Sequence, residues 1–529
     1  MKKKRFNVTG LCVPHKHYMV DISGKLAQIK ELIEYEHYFT INRARQYGKT
    51  TTLLALRCLL EKEFLIASIS FEGLGDTCFA SDEAFCLTFM EIVQRALRYT
   101  PADGEYISKW VNKEANSFKL LGNHITDMCE GKRIILLIDE VDKTSNNRVF
   151  LNFLSMLRTK YLAREAGDDY TFHSVVLAGV NDIKNIKLKI MRKEADGSIV
   201  REEVKTYNSP WNIAVNFDVD MSFSAPEIAT MLRDYEDDHH TGMDVTALSE
   251  EIRRFTSGYP FLVSRICQYI DEKSGKNWTI RGVQDAVDEI VGEENTLFDD
   301  LFKNMENHKD LYDLIYSVLI VGEVRRFSVN NPAIKLAAMY GIVKERDRHV
   351  KVANKIFEVC ICDYFVSKDE TINGRRMNGV LQQDVVQHGR FDMELCLRKF
   401  AEHYKEIYSD NDLKFLERHG RLLFLSYLSP LINGQGFYHI ESQFTNLQRM
   451  DIVVDFGQQQ FIIELKLWRG EAAQGKAYTQ LLDYMESKRM DEGYLVTFDF
   501  RKGAHKEVKA EWAEIGEGYA KKRIFEVIV

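Results

Sequence analysis

Between residues 38 and 217 the chain alternates short apolar runs with longer amphipathic ones. The short runs are Tyr38–Asn42, Phe64–Phe71, Ile134–Asp139, Val175–Val180 and Ile213–Phe217, each rich in β-branched or aromatic residues. Between them, Thr51–Leu60, Glu83–Leu97 and Val149–Leu162 have helical spacing. Continuously apolar strands separated by helices predict a parallel sheet covered on both faces. Lys184–Tyr207 breaks the rhythm with charge and an Asp196-Gly197 pair, and predicts an inserted hairpin or loop.

Residues 224–365 are mostly helical in pattern, opening at Ser224-Ala225-Pro226-Glu227 with a cap-like Ser and a Glu three positions on. Lys335–Phe365 predicts helix, hairpin and helix, with Tyr340–Val343 and His349–Val352 as the strands, which suggests a winged-helix module. Residues 366–390 carry little periodicity and are expected to be a linker. A new pattern starts at Phe391, with strands expected at Phe437–Phe444, Met450–Phe456 and Phe461–Trp468 and a helix at Gly475–Met485. The expected organisation is therefore a core over 1–222, a helical lid over 223–300, a winged-helix-like module over 301–365, the linker, and an α/β domain over 391–529.

Composition narrows this picture only a little. The chain has 529 residues, 45% hydrophobic and 28% charged, enough for several buried cores. A net charge of −8 gives no global attraction to nucleic acid or anionic membrane. Residues 401–529 carry 17 Lys and Arg against 20 Asp and Glu, so any nucleic-acid contact must come from a local basic surface. Nine irregularly spaced cysteines fit packed, reduced thiols of a cytoplasmic protein, and Cys360-x-Cys362 alone is a weak metal signal. No apolar run reaches membrane-spanning length, and no apolar segment follows the basic start Met1–Arg5. The expectation is a cytoplasmic protein without a membrane partner.

Two motifs carry phosphate chemistry. The first expected strand runs into Arg43-Ala44-Arg45-Gln46-Tyr47-Gly48-Lys49-Thr50, and a helix follows. A strand, a tight turn and a helix N-terminus cradle phosphates with backbone N–H groups and the helix dipole. Gly48 allows close approach, Lys49 would reach the β- and γ-phosphates, and Thr50 would hold Mg²⁺. Arg43 stands where such loops have their first Gly. Downstream, Arg133–Glu140 is an apolar strand ending in two acids, Asp139 to hold Mg²⁺ through water and Glu140 as general base. Asn181, after the Val175–Val180 run, is either a γ-phosphate sensor or a turn-forming Asn.

These residues, with Tyr18–Asp21, Phe39–Leu53 and Ile138–Lys143, resemble the bacterial AAA-ATPase-like family that carries a C-terminal PD-(D/E)XK nuclease-like domain. Its ATPase part is similar to the archaeal-type and STAND NTPases, in which the first loop Gly is often replaced. The resemblance implies ATP as cofactor, bound through Arg45, Gln46, Tyr47, Gly48, Lys49, Thr50, Thr51, Asp139 and Asn181. It also covers Ser257–Leu262, where Pro260 would lie by the nucleotide from the lid, or simply start a helix.

The second motif lies in residues 437–484. On a strand, Glu464 and Lys466 share a face. A turn around residues 458–459 would set Asp451 opposite Lys466, with Glu464 one diagonal step away. Two carboxylates there could hold Mg²⁺ (or Mn²⁺), activate water and stabilise a pentavalent phosphorus. The segments Arg449–Val454 and Phe461–Gly470 resemble the nuclease-like part of the same family, and Gln480 matches its Gln in the following helix. Glu441 is either a further metal ligand or an exposed strand acid. Lys488, Arg489, Arg501, Lys502, Lys506, Lys509 and Lys521–Arg523 could meet a phosphate backbone, or be ordinary solvated surface. The resulting expectation is an α/β protein with a P-loop NTPase sheet, helical lid and winged-helix-like module, and a restriction-endonuclease-like domain. It would be an ATPase controlling a metal-dependent nuclease that acts on DNA, in defence against foreign DNA by the resemblance. The alternative is a regulatory ATPase whose C-terminal domain binds nucleic acid or protein without cleavage. A homo-oligomer stays open.

Overall fold

Strand β3 (Ile134–Asp139) is buried at every position, so both of its faces must be covered. In the computed structural model it is an inner strand of a four-stranded parallel sheet ordered β1 (Tyr38–Asn42), β4 (Ser174–Gly179), β3 and β2 (Leu65–Ser70). The residues described are all except 1–3, 99, 101–103, 111–114, 145–147, 181–188, 194–198, 204–209, 322, 374–381, 408–412, 433–435, 442–450, 469–470, 500–508 and 516–520.

The strands alternate which core they feed. Phe39, Ile41, Ile66, Ile135, Leu137 and Val176 pack with the helices Ser23–Glu34 and Lys49–Leu60. Tyr38, Ala67, Leu136, Ile138, Val175 and Leu177 pack with Asp82–Leu97, Phe118–Cys129 and Arg148–Ala166. Ser81 and Ser117 cap two of these helices, accepting hydrogen bonds from the amides of Ala84 and Leu120.

The fifth expected strand, Ile213–Phe217, is reduced to one bridge, Val215 to Phe39, with the Val215 amide donating to the Tyr38 carbonyl at 2.9 Å. The cause lies just upstream. Pro210–Ile213 is a 3₁₀ turn, and fully buried Trp211 is held there by its indole N–H donating to Thr40 Oγ1 at 2.9 Å. The expected insertion contains an antiparallel pair, β5 (Lys189–Lys193) and β6 (Ile199–Glu203).

The chain divides into two compact units, Met1–Tyr235 with Tyr259–Phe261, and Glu236–Gly258 with Leu262–Val529. In the second unit the helix Pro332–Met339 leads into the hairpin β7 (Val343–Arg346) and β8 (His349–Val352), then the helix Lys355–Asn373. Asp347 and Arg348 both have positive φ (51° and 66°), the conformation a two-residue hairpin turn needs.

The expected linker over 366–390 is corrected at both ends. The helix continues to Asn373 with Val366 buried, and beyond 374–381 come the short helix Gln382–Val385 and the paired strands β9 (Val386–Gln387) and β10 (Arg390–Phe391). Val385 is fully buried within that polar-looking stretch, and Phe391 just past its end meets Phe456 with ring centres 5.2 Å apart.

The last domain holds a six-stranded sheet ordered β11 (Gly436–Glu441), β12 (Asp451–Phe456), β13 (Gln459–Leu467), β14 (Glu492–Phe498), β16 (Lys522–Ile528) and β15 (Lys509–Ile515). Strands β11 to β13 form an antiparallel meander, while β13, β14 and β16 run parallel. The helix Glu471–Ser487 covers one face through Ala477, Leu481, Tyr484 and Met485 against Val453, Ile462, Leu495 and Ile524. Among the described residues no helix is long and apolar enough to cross a membrane.

One buried carboxylate makes the second unit's stability depend on pH. Asp363, on the helix Lys355–Asn373, accepts hydrogen bonds from Tyr438 Oη (2.9 Å) and Ser429 Oγ (3.3 Å) at one oxygen. Burial pushes its pKa from 3.8 to about 6. The folded chain therefore holds this proton more tightly than the unfolded chain. The stabilisation is fully present below the unfolded value and is lost as pH rises through about 6, a swing of about 3 kcal/mol. Asp363→Asn keeps an oxygen for both donors. It is expected to raise the urea midpoint relative to the parent chain at neutral pH, with the gain vanishing toward pH 4. A gain that does not change with pH would contradict this account.

Candidate functional site

β1 ends at Asn42, and the Arg43 amide extends its ladder by donating to the Gly179 carbonyl at 3.1 Å. The loop then passes through the left-handed region twice, at Gln46 (φ 56°) and Gly48 (φ 75°), with Tyr47 between them outside it. Such alternation turns successive N–H groups toward one concavity, a nest suited to anions. Gly48 is also the N-cap of the helix Lys49–Leu60, so the helix dipole points into the same space.

Arg43 needs no glycine-like backbone, since its φ is not positive. Its guanidinium donates to the carbonyls of Asn42 (2.8 Å) and Val219 (2.6 Å) and lies over the Phe217 ring. Burial lowers its pKa, and its side chain serves as a brace. Arg45 is exposed, and its charge is among those that depress the Lys49 pKa.

Lys49 is buried, and its ammonium donates to the carbonyls of Arg43 (3.0 Å) and Ala44 (2.9 Å). Burial lowers its pKa, opposed by Asp142, Glu140 and Asp139. The Thr50 hydroxyl donates to Asp139 Oδ2 at 2.6 Å, which joins the two motifs that lie about 90 residues apart in the chain. The other Asp139 oxygen accepts the Glu140 amide at 2.9 Å. Glu140 has φ 55°, and its pKa is raised first by burial and then by Asp139. Thr51 Oγ1 accepts from the Cys12 amide at 3.3 Å, so an N-terminal segment lies against the start of the helix. Asn181 lies outside the described residues.

Pro260 is the buried first residue of the helix Pro260–Glu272, but the contact with the loop is made by its neighbour. The Tyr259 hydroxyl donates to the Arg45 carbonyl at 2.5 Å, and its ring meets Tyr47 edge-on at 4.7 Å. Sequence reasoning missed Tyr259. Its signal was an aromatic residue just after Ser257-Gly258, both of which have positive φ (49° and 73°). It also gave no role to Asp142, whose Oδ2 accepts the Val180 amide at 2.6 Å.

In the C-terminal sheet the expected register is off by two residues. The turn is Gly457-Gln458, with Gly457 at φ 58°, so Asp451 pairs directly with Glu464 rather than with Lys466. A glycine at positive φ closes a two-residue turn one position earlier than expected. The same ladder pairs Glu441 with Asp451, so Glu441, Asp451 and Glu464 occupy one row across three adjacent strands. Glu464 is 2% exposed, and its Oε1 lies 2.7 Å from Lys466 Nζ. Gln480 is half-buried on the helix Glu471–Ser487, one turn from buried Tyr484.

The row continues to Leu495 and Glu526. The hydroxyls of Tyr478 and Thr497 (the latter at 3.4 Å) donate to Glu526, and Thr497 is the register partner of Lys466. No local pattern flagged Glu526, which lies on the last strand. Several basic residues expected as phosphate contacts are already paired: Lys521 with Glu514, Lys522 with Asp491 at 3.3 Å, and Arg523 with Glu492 at 3.1 Å. Lys488 lies over the Tyr484 ring, and Lys509 is exposed on β15. Arg501, Lys502 and Lys506 lie outside the described residues.

The parallel sheet, the loop entering a helix, and the Thr50–Asp139 contact define a P-loop NTPase core. Residues 17–365 match the family described as AAA-like domain, and the chain belongs to that family. It is similar to the Walker-type ATPase PABY2304 of Pyrococcus abyssi, at 13% identity and TM-score 0.45, over 67% of this chain and 99% of that one. The ORC2 protein of Aeropyrum pernix is similar in its ADPNP–ADP complexes, at 11% identity and TM-score 0.33, and in its ADP form, at 11% and 0.30. Both cover 66% of this chain and 93% of theirs. No curated protein matches the chain.

The site's back wall is tight at Gly179. A Cβ there would fall 2.9 Å from both Asp142 Oδ1 and Val141 Cγ2. Asp142 cannot swing aside without releasing the Val180 amide. Gly179→Ala is therefore expected to cost about 1–3 kcal/mol of stability, seen as a lower urea midpoint. An unchanged midpoint would show that the wall can give.

Proposed function

We propose that the loop Arg43–Thr50 binds ATP with Mg²⁺ and that the chain hydrolyses it. The carrying observation is the Thr50 hydroxyl 2.6 Å from Asp139 Oδ2 at the N-terminus of a helix. A hydroxyl and a carboxylate side by side are the donor set that Mg²⁺ takes beside a triphosphate. The metal would supply charge neutralisation between the β- and γ-phosphates. The amides from Arg45 to Thr51 would hold phosphate oxygens, and Lys49 would exchange its two carbonyl partners for them. Asn181 and Pro260 keep their proposed places beside the nucleotide, with Tyr259 holding the loop through the Arg45 carbonyl. The raised pKa of Glu140 suits a base that must take a proton from water near neutral pH.

The second part of the reading assigns the C-terminal domain as a PD-(D/E)XK nuclease acting on DNA under control of the ATP site, with defence against foreign DNA as the role the resemblance carries. The row Glu441, Asp451 and Glu464, with Lys466 two residues on, supports it. A divalent ion held there would activate water and neutralise the phosphodiester. Lys466 would orient the nucleophile or neutralise charge, and Gln480 would approach from the helix. The Glu464–Lys466 ion pair is equally compatible with a domain that binds without cutting, the second reading.

Lys49→Ala is expected to weaken ATP binding by at least about tenfold, measured by fluorescent-nucleotide titration. Glu140→Gln should leave binding intact and lower kcat about 10²–10⁴-fold. Wild-type kcat should rise with pH through the raised Glu140 pKa, because only the carboxylate accepts a proton; a flat profile argues against Glu140 as the base. Cleavage of DNA and RNA with Mg²⁺ or Mn²⁺, with and without ATP, tests the nuclease. Lys466→Ala should abolish it, and cleavage that survives removes the site assignment. Cleavage indifferent to ATP and to Lys49→Ala removes the coupling.

A further inference from the structure

The hairpin β7–β8 is wider than its two strands. The Val350 amide donates to the Arg325 carbonyl and the Phe327 amide to the Arg348 carbonyl, both at 2.8 Å, and Arg326 bridges His349. A third short strand is thereby added beside β8. The register then sorts the side chains. Arg326, His349 and Arg346 stand in one row across the three strands, and Lys344 pairs with Lys351 two residues along. Side chains alternate faces along a strand, so these five residues share a face. Val343, Val350 and Val352 take the opposite one with Glu345, and Val343 and Val350 are buried.

The basic face therefore carries no carboxylate of its own. Asp347 sits in the turn, 3.9 Å from the Arg346 guanidinium. Arg326, Arg346 and Arg348 are exposed. Lys344 serves another purpose, donating to Ser257 Oγ at 2.7 Å and fixing the hairpin to the end of the helix Val245–Thr256. Residues 323–355 hold eight Lys and Arg against three acids, in a chain of net charge −8. This is the concentrated positive patch that the C-terminal sheet lacks among its described residues, where Lys521, Lys522 and Arg523 are paired with acids.

We infer that this face of the hairpin docks the phosphate backbone of duplex nucleic acid, independently of sequence. Arg326 and Arg346 flank His349 in the row, two strand spacings or about 10 Å apart. Guanidinium groups match phosphate oxygens in pairs. None of the five is a large apolar side chain of the kind that anchors a protein partner or enters a lipid surface. Base reading is a poor fit for the preceding helix. Pro332–Met339 has the sequence PAIKLAAM, which offers one polar side chain, Lys335, to any base edge. Backbone docking of this kind would hold a duplex while another site acts on it. The inference rests on the nucleic-acid partner of the reading above, and not on cleavage.

The test uses the full chain in a Lys466→Ala background, so that DNA stays intact, and two labelled duplexes of equal length and unrelated sequence. Anisotropy titrations across a salt series compare the parent with Arg326→Glu/Arg346→Glu, with Arg326→Gln/Arg346→Gln, and with a charge-matched control, Lys62→Glu/Lys309→Glu. The Glu pair is expected to weaken both duplexes at least about tenfold. Both hairpin pairs should lower the slope of log affinity against log salt by about 1.8, or about 0.9 per lost contact, and the control should do neither. Circular dichroism melts confirm that the exposed substitutions leave the fold in place. A loss matched by the control, or an unchanged slope, overturns the hairpin as the docking surface. Clear preference for one sequence overturns backbone reading. Tighter binding of phosphatidylserine vesicles than of duplex overturns nucleic acid as the partner. Failure of cleavage in the unsubstituted chain would count against the nuclease and leave this result standing.

Discussion

Asp139 reaches the Thr50 hydroxyl because three parallel strands end at one level. Asn42 pairs with Gly179, Leu177 with Ile138, and Ser70 with Asp139, so the loop after β1 and the acids after β3 open onto the same edge with β4 between them. A slip of one residue would move a strand end by about 3.3 Å, which no hydrogen bond of 2.6 Å survives. Both cores enforce the register, since a slip would also carry every buried side chain to the wrong face. The site's geometry is thus guarded by apolar packing well away from it.

Charge is balanced on the same edge. Lys49 is buried at a cost that Asp142, Glu140 and Asp139 offset, while burial and then the neighbouring Asp139 raise the Glu140 pKa. Two non-glycine residues, Gln46 and Glu140, hold positive φ in this small region. Each such residue costs of order 1 kcal/mol, and strain of this kind persists only where surrounding contacts fix it. Here the Asp139 carboxylate fixes Glu140 through its amide, and Tyr259 fixes the loop through the Arg45 carbonyl.

Much of the first unit was legible because its signals are local. Tyr38–Asn42 and Ile134–Asp139 appear as strands with the expected bounds, since an apolar run of that length between turn residues has few alternatives. The order helix, hairpin, helix over Lys335–Phe365 was legible too, but the first strand is Val343–Arg346 rather than Tyr340–Val343, because Tyr340 caps the helix and Gly341 turns the chain at φ 69°. What stayed hidden depends on residues far apart or on one dihedral angle. The lost strand at Ile213–Phe217 follows from Trp211 binding Thr40, and the shortened linker from a helix that runs on to Asn373 and from Val385 being buried beyond it. The hairpin error turned on whether Gly457 stood inside the turn or ahead of it. Ser257-Gly258 marks a turn before Tyr259, but its partner, the Arg45 carbonyl, lies 214 residues away in the chain and is visible only in the fold.

The two-residue turn at Gly457-Gln458 has a consequence for how this domain can change over time. The row that joins Glu441, Asp451 and Glu464 is held by pairing across consecutive strands. Because a strand has a period of two, the turn can lengthen or shorten by pairs of residues and keep position 451 on the Glu464 side of the ladder. A single-residue insertion or deletion there would invert one strand against the other and send Val453 out of the core with it. Related chains that keep this row should therefore vary this turn in even steps.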